Sequence, residues 1–399
     1  MFVLAPLLLA AATVVVASDE RLIRYGPGVD DTARVSEAAL DFIRTTPSID
    51  ASHPALAGVD PSFLAALASR PQKTGPGFLD LTEVTLPDLD GNTLSLETPT
   101  EPLVAFADAP YPTPNATKYP ELASLFPQVS AQGLGWTIGN LTNFTTRYYR
   151  STIARDSAVW IQGQFAASAG ASNVVFIENS FNQPNVIAAI PRANTSTNNE
   201  VVIIGAHFDS LNQRNTSGVA PGADDDASGV AVILQTLQIL SKAGFRGQRR
   251  IEFHAYAGEE GGLLGSTRTA ANYSSAGTAV RGMVEFEMVA YQSGTSPVIS
   301  LTTDTAPTLQ TFVTSIIKTY VPEVTFRTTA CGYGCSDHDS WVDQGYSAVC
   351  LAEAGPRDST LNPYYHTSND TLDKLNMTQA SYFVKAALAF VVELSEHAA

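Results

Sequence analysis

Short apolar runs alternate with amphipathic stretches from residue 115 onward. Seven runs have the length and the branched, apolar composition of buried strands, and they are NVVFIEN, NVIAAIP, EVVIIGAHF, RRIEFHAYA, RGMVEFEMVAY, SPVISLTTD and YSAVCLAEA. The spacing of apolar residues predicts helices at GVAVILQTLQILSKAG, LLGSTRTAANY, APTLQTFVTSIIKTYV and KLNMTQASYFVKAALAFVVELSEHA. This alternation predicts one α/β domain over residues 115–399, with a mostly parallel sheet covered by helices.

The pattern before residue 115 is different. Residues 18–114 are rich in Pro, Asp and Thr and contain few apolar runs, with one predicted helix at TARVSEAALDFIRTT. The stretch DLTEVTLPDLDGNTLSLETPTEP is typical of short strands and turns. Pro, Tyr and Thr crowd together at APYPTPNATKYP, and we place the boundary between the two parts there.

An apolar run opens the chain. MFVLAPLLLAAATVVVA has the length of a signal-peptide core and ends in small residues, although no Lys or Arg precedes it. The alternative is a membrane anchor, but the run falls short of the ~20 residues of a spanning helix and contains Pro6. We therefore expect residues 1–17 to be a cleaved signal peptide, residues 18–114 to be a prosegment, and the protein to be secreted without a membrane partner.

Composition agrees with secretion and excludes one class of partner. The 399 residues include 39 Asp and Glu against 23 Lys and Arg, a net charge of -16, which argues against nucleic-acid binding. Eight Asn-x-Ser/Thr triplets, all after residue 110, are candidate glycosylation sites. They are Asn115, Asn140, Asn143, Asn194, Asn215, Asn272, Asn369 and Asn376.

The three cysteines fit an oxidising compartment. Cys331 and Cys335 bracket Gly-Tyr-Gly. Such a pair can also bind a metal ion, but no second Cys or His pair stands at zinc-finger spacing. We predict a disulfide between Cys331 and Cys335, and a buried free thiol at Cys350, which lies in an apolar strand.

PGADDDASG, residues 221–229, places three consecutive aspartates between a predicted strand and a predicted helix. Neighbouring carboxylates repel one another, and one of them is enough to cap the helix. The charge of the others needs compensation, for which a bound cation is a candidate.

Further imidazole and carboxylate groups stand where other predicted strands end, which is where α/β sheets form their sites. They are His207, Asp209, Glu259, Glu260 and Glu287, with His366 in a loop after the last strand. Each group alone is more often structural, but together they fit two zinc ions with three protein ligands each. Because a zinc-bound imidazole is commonly oriented by a carboxylate, we expect Asp209 to orient His207 rather than to bind zinc.

Five motifs, GAHFDS, PGADDDASG, AYAGEEGG, CGYGCSDHDSW and NPYYHTSNDT, occur in this order. They closely resemble the motifs of the secreted di-zinc leucyl aminopeptidases of bacteria and fungi, over residues 118–399. The resemblance implies the zinc-dependent exopeptidase fold and two zinc ions per chain. It implies that His207 binds one ion, that Glu260 and His366 bind the other, and that Asp225 bridges both.

The same resemblance assigns roles to neighbouring carboxylates. It implies that Glu259 is the general base, that Asp226 caps the following helix and that Asp224 shapes the turn. The reaction it implies is hydrolysis of the peptide bond next to a free N-terminus, in which Glu259 accepts a proton from water and passes it to the leaving amine.

One position departs from the aminopeptidase pattern. The remaining zinc ligand is usually Asp, and Glu287 stands there in this chain, as Glu does in some related carboxypeptidases. A metallocarboxypeptidase is therefore an alternative, as is a glutaminyl-cyclase-like acyltransferase, which shares the fold but uses one zinc ion. An inactive binding module would have lost Glu259 or a ligand, and neither is lost.

The substrate is expected to be a peptide that binds to a monomeric enzyme. Met288, Leu361, Tyr365 and the turn of the predicted disulfide are expected to line the pocket for the first side chain, favouring Leu, Phe or Met. Tyr333, inside that turn, resembles the family's hydrogen-bond donor near the substrate.

The prosegment is expected to be an internal partner of the catalytic domain. We expect its docking to bury Phe63, Leu64 and Leu67 and to restrict the pocket until cleavage near residues 112–118. A permanent accessory domain is the alternative.

Overall fold

The computed structural model describes residues 20–26, 31–46, 49–69, 76–82, 110–356 and 358–396. The predicted signal peptide lies outside the described residues, and so does most of the stretch predicted to form short strands and turns. We call the described residues up to 82 the N-terminal unit and those from 110 onward the large domain. No helix in these ranges has the length and hydropathy needed to span a membrane.

The described residues contain eleven strands and ten α-helices. The strands are β1 Glu20–Arg24, β2 Thr32–Ser36, β3 Leu79–Asp80, β4 Val174–Ile177, β5 Asn185–Ile190, β6 Val201–His207, β7 Arg250–Tyr256, β8 Val280–Glu287, β9 Val298–Thr302, β10 Thr325–Thr329 and β11 Ala348–Ala352. The helices are α1 Glu37–Thr45, α2 Pro61–Ser69, α3 Leu122–Leu125, α4 Ala131–Leu141, α5 Ala154–Ala169, α6 Ala227–Lys242, α7 Leu264–Ser275, α8 Pro307–Tyr320, α9 His338–Asp343 and α10 Met377–Glu396.

One mixed sheet organises the large domain. Its eight strands lie in the order β10-β9-β11-β8-β6-β7-β5-β4. β6 pairs in parallel with β7 and β8, and β8 pairs in parallel with β11, while β5 runs antiparallel to β7. The carboxyl ends of β6, β7, β8 and β11 therefore meet at one edge. The prediction of an α/β domain with a mostly parallel sheet is confirmed.

Apolar side chains cover both faces of this sheet, because successive residues of a strand point in opposite directions. In β6, Val202 and Ile204 join the main core, to which α4, α5, α6, α8 and α10 contribute. Ile203, between them, joins a smaller cluster with Trp341 of α9 and Ala270 of α7. Such burial on both sides explains why the central strands read as continuous apolar runs.

All seven predicted strands are present, as are the four helices predicted for the large domain. Strand β10 was not predicted, because its sequence TFRTT is mostly polar and it lies at the exposed edge of the sheet. Helix α4 was missed because its sequence AQGLGWTIGNL contains three glycines, which lower helix propensity. Burial of Leu134, Ile138 and Leu141 in the main core outweighs that cost.

The N-terminal unit has a three-stranded antiparallel sheet, ordered β2-β1-β3. The helix predicted at TARVSEAALDFIRTT is wrong over its first five residues, which form β2, because Ala33 and Val35 alternate with exposed residues and pair with β1. The helix begins at Glu37, where Ser36 caps it by accepting the N–H of Ala39.

The unit also has an apolar core of its own. Phe63, Leu64 and Leu67 are buried there, and their neighbours in that core include Ile23, Leu40 and Phe78. The prediction that docking on the large domain buries these three side chains is therefore wrong. Leu79 and Leu81 make the apolar contact instead, since they cluster with Leu263 and Ala271 of the large domain.

Residues 110–114 pack on the large domain although they lie before the predicted boundary. The ring of Tyr111 stacks on Phe312 at 5.3 Å between centroids, and its hydroxyl donates to the carbonyl of Arg281 at 2.9 Å. The guanidinium of Arg281 lies 4.0 Å from the centre of the same ring. These contacts make residues 110–114 part of the large domain.

We expect Tyr111→Ala to lower the free energy of unfolding of the large domain by about 2 kcal/mol, roughly half the cost at a fully buried aromatic position. Urea denaturation of the full chain, followed by tryptophan fluorescence, measures this change. Thr113→Ala, at an exposed position of the same segment, is the control. Equal stability of the two variants would contradict the anchoring role of Tyr111.

Candidate metal centre and active site

The carboxyl ends of three adjacent strands bring the predicted ligands together. His207 is the last residue of β6 and Glu287 is the last residue of β8. After β7 the chain turns at Gly258, whose φ of 66° favours glycine, and a short 3-10 turn, Glu259–Gly261, follows. The side chains of His207, Glu259, Glu260 and Glu287 are all buried. The strand order therefore creates a polar, enclosed site at one edge of the sheet.

Asp225 lies between the two imidazoles. Its Oδ1 is 3.1 Å from Nε2 of His207, and its Oδ2 is 3.1 Å from Nε2 of His366. The same nitrogen of His366 is 3.0 Å from Oε2 of Glu260, and that of His207 is 3.5 Å from Oε2 of Glu287. Two groups of possible ligands thus share one carboxylate.

The two groups fit zinc. Ligand atoms around one tetrahedral zinc ion with bonds of about 2.0–2.1 Å lie roughly 3.3 Å apart, which matches these separations. Both oxygens of Asp225, Oε1 of Glu260 and Oε1 of Glu287 are buried and accept no hydrogen bond from the described residues. Buried carboxylate oxygens rarely lack partners, so their convergence on two imidazoles indicates cation binding.

Asp226 also approaches this centre. His207, Asp226 and Glu287 offer ligand atoms that lie within 4.8 Å of one another. However, Oδ1 of Asp226 accepts the N–H groups of Gly229 and Met288, at 3.0 and 3.1 Å. Its Oδ2 is buried and accepts no hydrogen bond from the described residues, but we retain Asp225 as the shared ligand because its two oxygens lie 3.1 Å from different imidazoles.

Asp209 connects the imidazole to the glutamate pair. Its Oδ1 lies 3.4 Å from Nδ1 of His207 and accepts the N–H of Glu259 at 2.9 Å, and its Oδ2 accepts the N–H of Glu260 at 3.3 Å. Ser336, which was not predicted, donates to Oε2 of Glu287 at 2.8 Å. These contacts fix the orientation of residues that face the centre.

Local electrostatics favour a positive charge at the centre. Burial raises the pKa of Glu259 well above its usual value, and the neighbouring Glu260 and Glu287 contribute in the same direction. Burial would lower the pKa of His366, but Glu260 and Asp225 outweigh it and raise that pKa well above its usual value. Carboxylates that draw a proton to an imidazole attract a divalent cation for the same reason.

The residues predicted to form the substrate pocket lie around the centre in different ways. Met288 follows Glu287 but is fully buried. Leu361 is partly exposed, and the ring of Tyr365 lies 4.7 Å from that of His366. None of them lines the cavity found beside the ligands in the described residues.

Residues of both the N-terminal unit and the large domain line that cavity. Its lining combines Glu260 and His366 with Ile43, Arg44, Pro76, Phe78, Leu211 and Gln213. The first four of these additional residues belong to the N-terminal unit. Leu211 and Gln213 come from the loop after β6.

The disulfide between Cys331 and Cys335 is present, and Cys350 is a buried free cysteine, as predicted. The hydroxyl of Tyr333, inside this disulfide loop, donates to Asp343 at 3.2 Å. Arg24 of the N-terminal unit donates to the same carboxylate at 2.6 Å. The predicted hydrogen-bond donor to substrate is therefore engaged with Asp343 in this arrangement.

The N-terminal unit also contacts the backbone of Gly261 and Gly262, which directly follow the two glutamates. Arg44 is buried, and its Nη2 donates to the carbonyl of Gly261 at 2.6 Å. The N–H of Asp80 donates to the carbonyl of Gly262 at 2.9 Å. Docking therefore involves the backbone directly beside the candidate base.

The predicted glycosylation sites differ in exposure. Asn140 and Asn272 are half-buried within α4 and α7. The other six asparagines are exposed, namely Asn115, Asn143, Asn194, Asn215, Asn369 and Asn376.

Two residues that were not predicted from the sequence contact the backbone of the turn that contains Asp225. Arg147 is fully buried and donates to four backbone carbonyls, and Asp370 accepts the N–H groups of Asp224 and Asp225. Burial lowers the pKa of Arg147 to about 10, which leaves it cationic at neutral pH. Asp370 lies four residues after His366 in one motif, and that proximity was the available signal. Arg147 stands in a loop without such a signal.

Comparison with known proteins identifies related sequences and folds. The sequence pattern of peptidase family M28 matches residues 185–391. Leucine aminopeptidase 1 of Arthroderma otae is 37% identical over 286 residues, 67% of this chain and 75% of that protein. Probable leucine aminopeptidase 1 of Trichophyton verrucosum is 34% identical over 344 residues, 82% of this chain and 87% of that protein. The structure of LapA aminopeptidase from Legionella pneumophila has a similar fold, with a TM-score of 0.73 and 23% identity, covering 95% of this chain and 99% of that one.

Proposed function

The chain belongs to peptidase family M28 and is a zinc-dependent aminopeptidase, and we propose that it uses two zinc ions to remove hydrophobic residues such as Leu from peptide N-termini. One observation carries the two-ion proposal: each oxygen of Asp225 lies 3.1 Å from a different imidazole. A site for one ion would not need a second imidazole, that of His366, on the far side of the same carboxylate.

The chain supplies ligands, a base and the groups that orient them. His207, Asp225 and Glu287 would hold one zinc ion, and Asp225, Glu260 and His366 would hold the other. When bound, zinc supplies Lewis-acid polarisation of the scissile carbonyl and lowers the pKa of water at the site.

Glu259 moves the proton in this proposal. Its carboxylate accepts a proton from the attacking water as the water oxygen bonds to the carbonyl carbon, and donates it to the amine nitrogen as the C–N bond breaks. Both oxygens of Glu259 are buried and accept no hydrogen bond from the described residues, which leaves them available. Asp209 holds its backbone in place.

A preference for apolar residues is supported by Leu211 in the lining of the cavity and by the names of the relatives. Glu287 alone does not favour a carboxypeptidase, because the relatives that match most of this chain are aminopeptidases. The carboxypeptidase alternative remains an outcome of the test.

We also propose that the protein is secreted as a precursor. The opening apolar run, the exposed glycosylation triplets and the disulfide support secretion. The docking of the N-terminal unit beside Glu260 and His366 supports its role as a prosegment, and the Tyr111 contacts favour cleavage upstream of Pro110.

The deciding experiment compares a leucyl peptide that has a free amine with its N-acetylated form, using protein cleaved upstream of Pro110. We expect leucine release from the free-amine peptide alone. A glutamyl peptide of otherwise identical sequence should react more slowly if the pocket is apolar. Equal cleavage of the free and acetylated peptides, or release from the C-terminus, would refute the aminopeptidase proposal.

A further inference from the structure

Arg147 is a buried cation that binds backbone rather than a carboxylate. Its Nε donates to the carbonyl of Phe208 at 2.7 Å, and its Nη2 donates to the carbonyl of Gly222 at 2.8 Å. Its Nη1 donates to the carbonyls of Pro221 and Leu141. Burying a guanidinium costs several kcal/mol unless its donors are used, and here one planar fork joins three separate segments.

Two of these segments carry candidate zinc ligands. Phe208 directly follows His207. Pro221 and Gly222 begin the turn 221–226, which contains Asp225. Arg147 therefore sets the distance between the backbone at His207 and the backbone leading to Asp225.

Asp370 holds the same turn from the other side. Its carboxylate accepts the N–H of Asp224 at 3.1 Å and the N–H of Asp225 at 3.1 Å. Its backbone carbonyl accepts the N–H of Ala223 at 3.1 Å. Because Asp370 lies four residues after His366, it joins the turn to the loop that carries the second imidazole.

The turn is thus held by the guanidinium of Arg147 on its carbonyls and by the carboxyl group of Asp370 on its amides. We propose that Arg147 and Asp370 are positioning residues, and that each of them aligns the ligands of one of the two zinc sites. Arg147 aligns Asp225 with His207, whereas Asp370 aligns Asp225 with His366. This inference rests on the proposed two-zinc function. It predicts that Arg147 affects the affinity of the zinc site that contains His207, and that Asp370 affects the affinity of the zinc site that contains His366.

The test measures zinc affinity in the full-length chain by stepwise competition with a chromophoric chelator. Arg147→Lys keeps the charge but removes the fork, and Asp370→Asn keeps the shape but replaces one acceptor oxygen. Loss of such outer contacts typically weakens metal binding by about 10- to 100-fold. We expect each variant to weaken one of the two binding steps by that factor and to change the other by less than about threefold. The double variant should weaken both steps.

Variants that keep only one ligand group show which binding step belongs to which zinc site. In a His366→Ala background, which keeps the His207 group, Arg147→Lys should weaken zinc binding more than Asp370→Asn does. In a His207→Ala background the order should reverse. If Arg147→Lys does not fold, Ser210→Ala replaces it, because Ser210 accepts the N–H of Arg147 at 3.1 Å and donates to Ala220 at 2.8 Å.

Arg249→Lys is the matched control, since Arg249 is also buried and binds Glu200 and the carbonyl of Leu394. Arg249 and Glu200 directly precede β7 and β6, at the ends of these strands opposite to the ligands. It should lower the melting temperature of the zinc-free protein without changing either zinc affinity. Equal weakening of both steps by Arg147→Lys, wild-type affinity in that variant, or an equal effect of Arg249→Lys would overturn the proposal. Failure of the wild-type chain to bind two zinc ions would instead refute the proposed function.

Discussion

Replacing Glu259 with alanine is expected to lower kcat on a leucyl peptide by about 10²- to 10⁴-fold, the usual contribution of a general base. The reason is positional: Glu259 faces the centre with two oxygens that accept no hydrogen bond from the described residues, and it is absent from both groups of possible ligands. Removing it should therefore leave both zinc ions bound. Steady-state kinetics and zinc analysis of the same sample measure the two effects.

Glu260→Ala is the matched comparison, because it changes the adjacent residue by the same number of atoms. Oε2 of Glu260 lies 3.0 Å from Nε2 of His366, within one ligand group. This variant should lose one zinc ion as well as activity. Zinc loss in Glu259→Ala, with zinc retained in Glu260→Ala, would show that the two roles are reversed.

The candidate ligands could be predicted from sequence because chemistry and topology coincide at the ends of strands. His207 and Glu287 end β6 and β8, and an apolar run followed by such a side chain is visible in the sequence. Asp225 follows the same logic at the start of α6. Parallel pairing then brings these ends together without further information.

The supporting contacts could not be predicted in this way. A charged residue such as Arg147 is ordinarily expected at the surface, and its burial depends on carbonyls from segments far apart in the chain. Tyr111 likewise lies in a stretch that reads as a linker, and only its stacking on Phe312 reveals that it belongs to the large domain. Tertiary contacts decide both positions, and no local pattern encodes them.

The N-terminal unit raises the same difficulty. Its sequence has few apolar runs, so an independent core was not expected, yet short elements pool single apolar residues such as Ile23, Leu40 and Phe63 into one cluster. Leu79 and Leu81 were missed as docking residues because β3 is only two residues long. A strand this short has no periodicity to detect.

Releasing the N-terminal unit is expected to raise activity by about 10²- to 10³-fold. Its residues Ile43, Arg44, Pro76 and Phe78 enclose the cavity beside Glu260 and His366, so substrate and the docked unit compete for the same space. A tethered unit has an effective concentration on the order of 1 mM. If its own affinity for the large domain is about 1 µM, roughly one molecule in 10³ is open, and cleavage followed by dilution to nanomolar concentration frees the rest.

The experiment inserts a recognition sequence for a specific protease between residues 83 and 109 of the full chain. Activity is then measured before cleavage, after cleavage at micromolar concentration, and after dilution. Because the cut removes the tether, most of the rise should come on cleavage at micromolar concentration, dilution should add only about twofold, and an excess of purified unit well above about 1 µM should lower activity again. Arg44→Ala should raise activity without cleavage, since it removes the bond to Gly261, whereas Arg34→Ala, at an exposed position of β2, should not. Unfolding or loss of activity after dilution would show that the N-terminal unit is a permanent part of the enzyme.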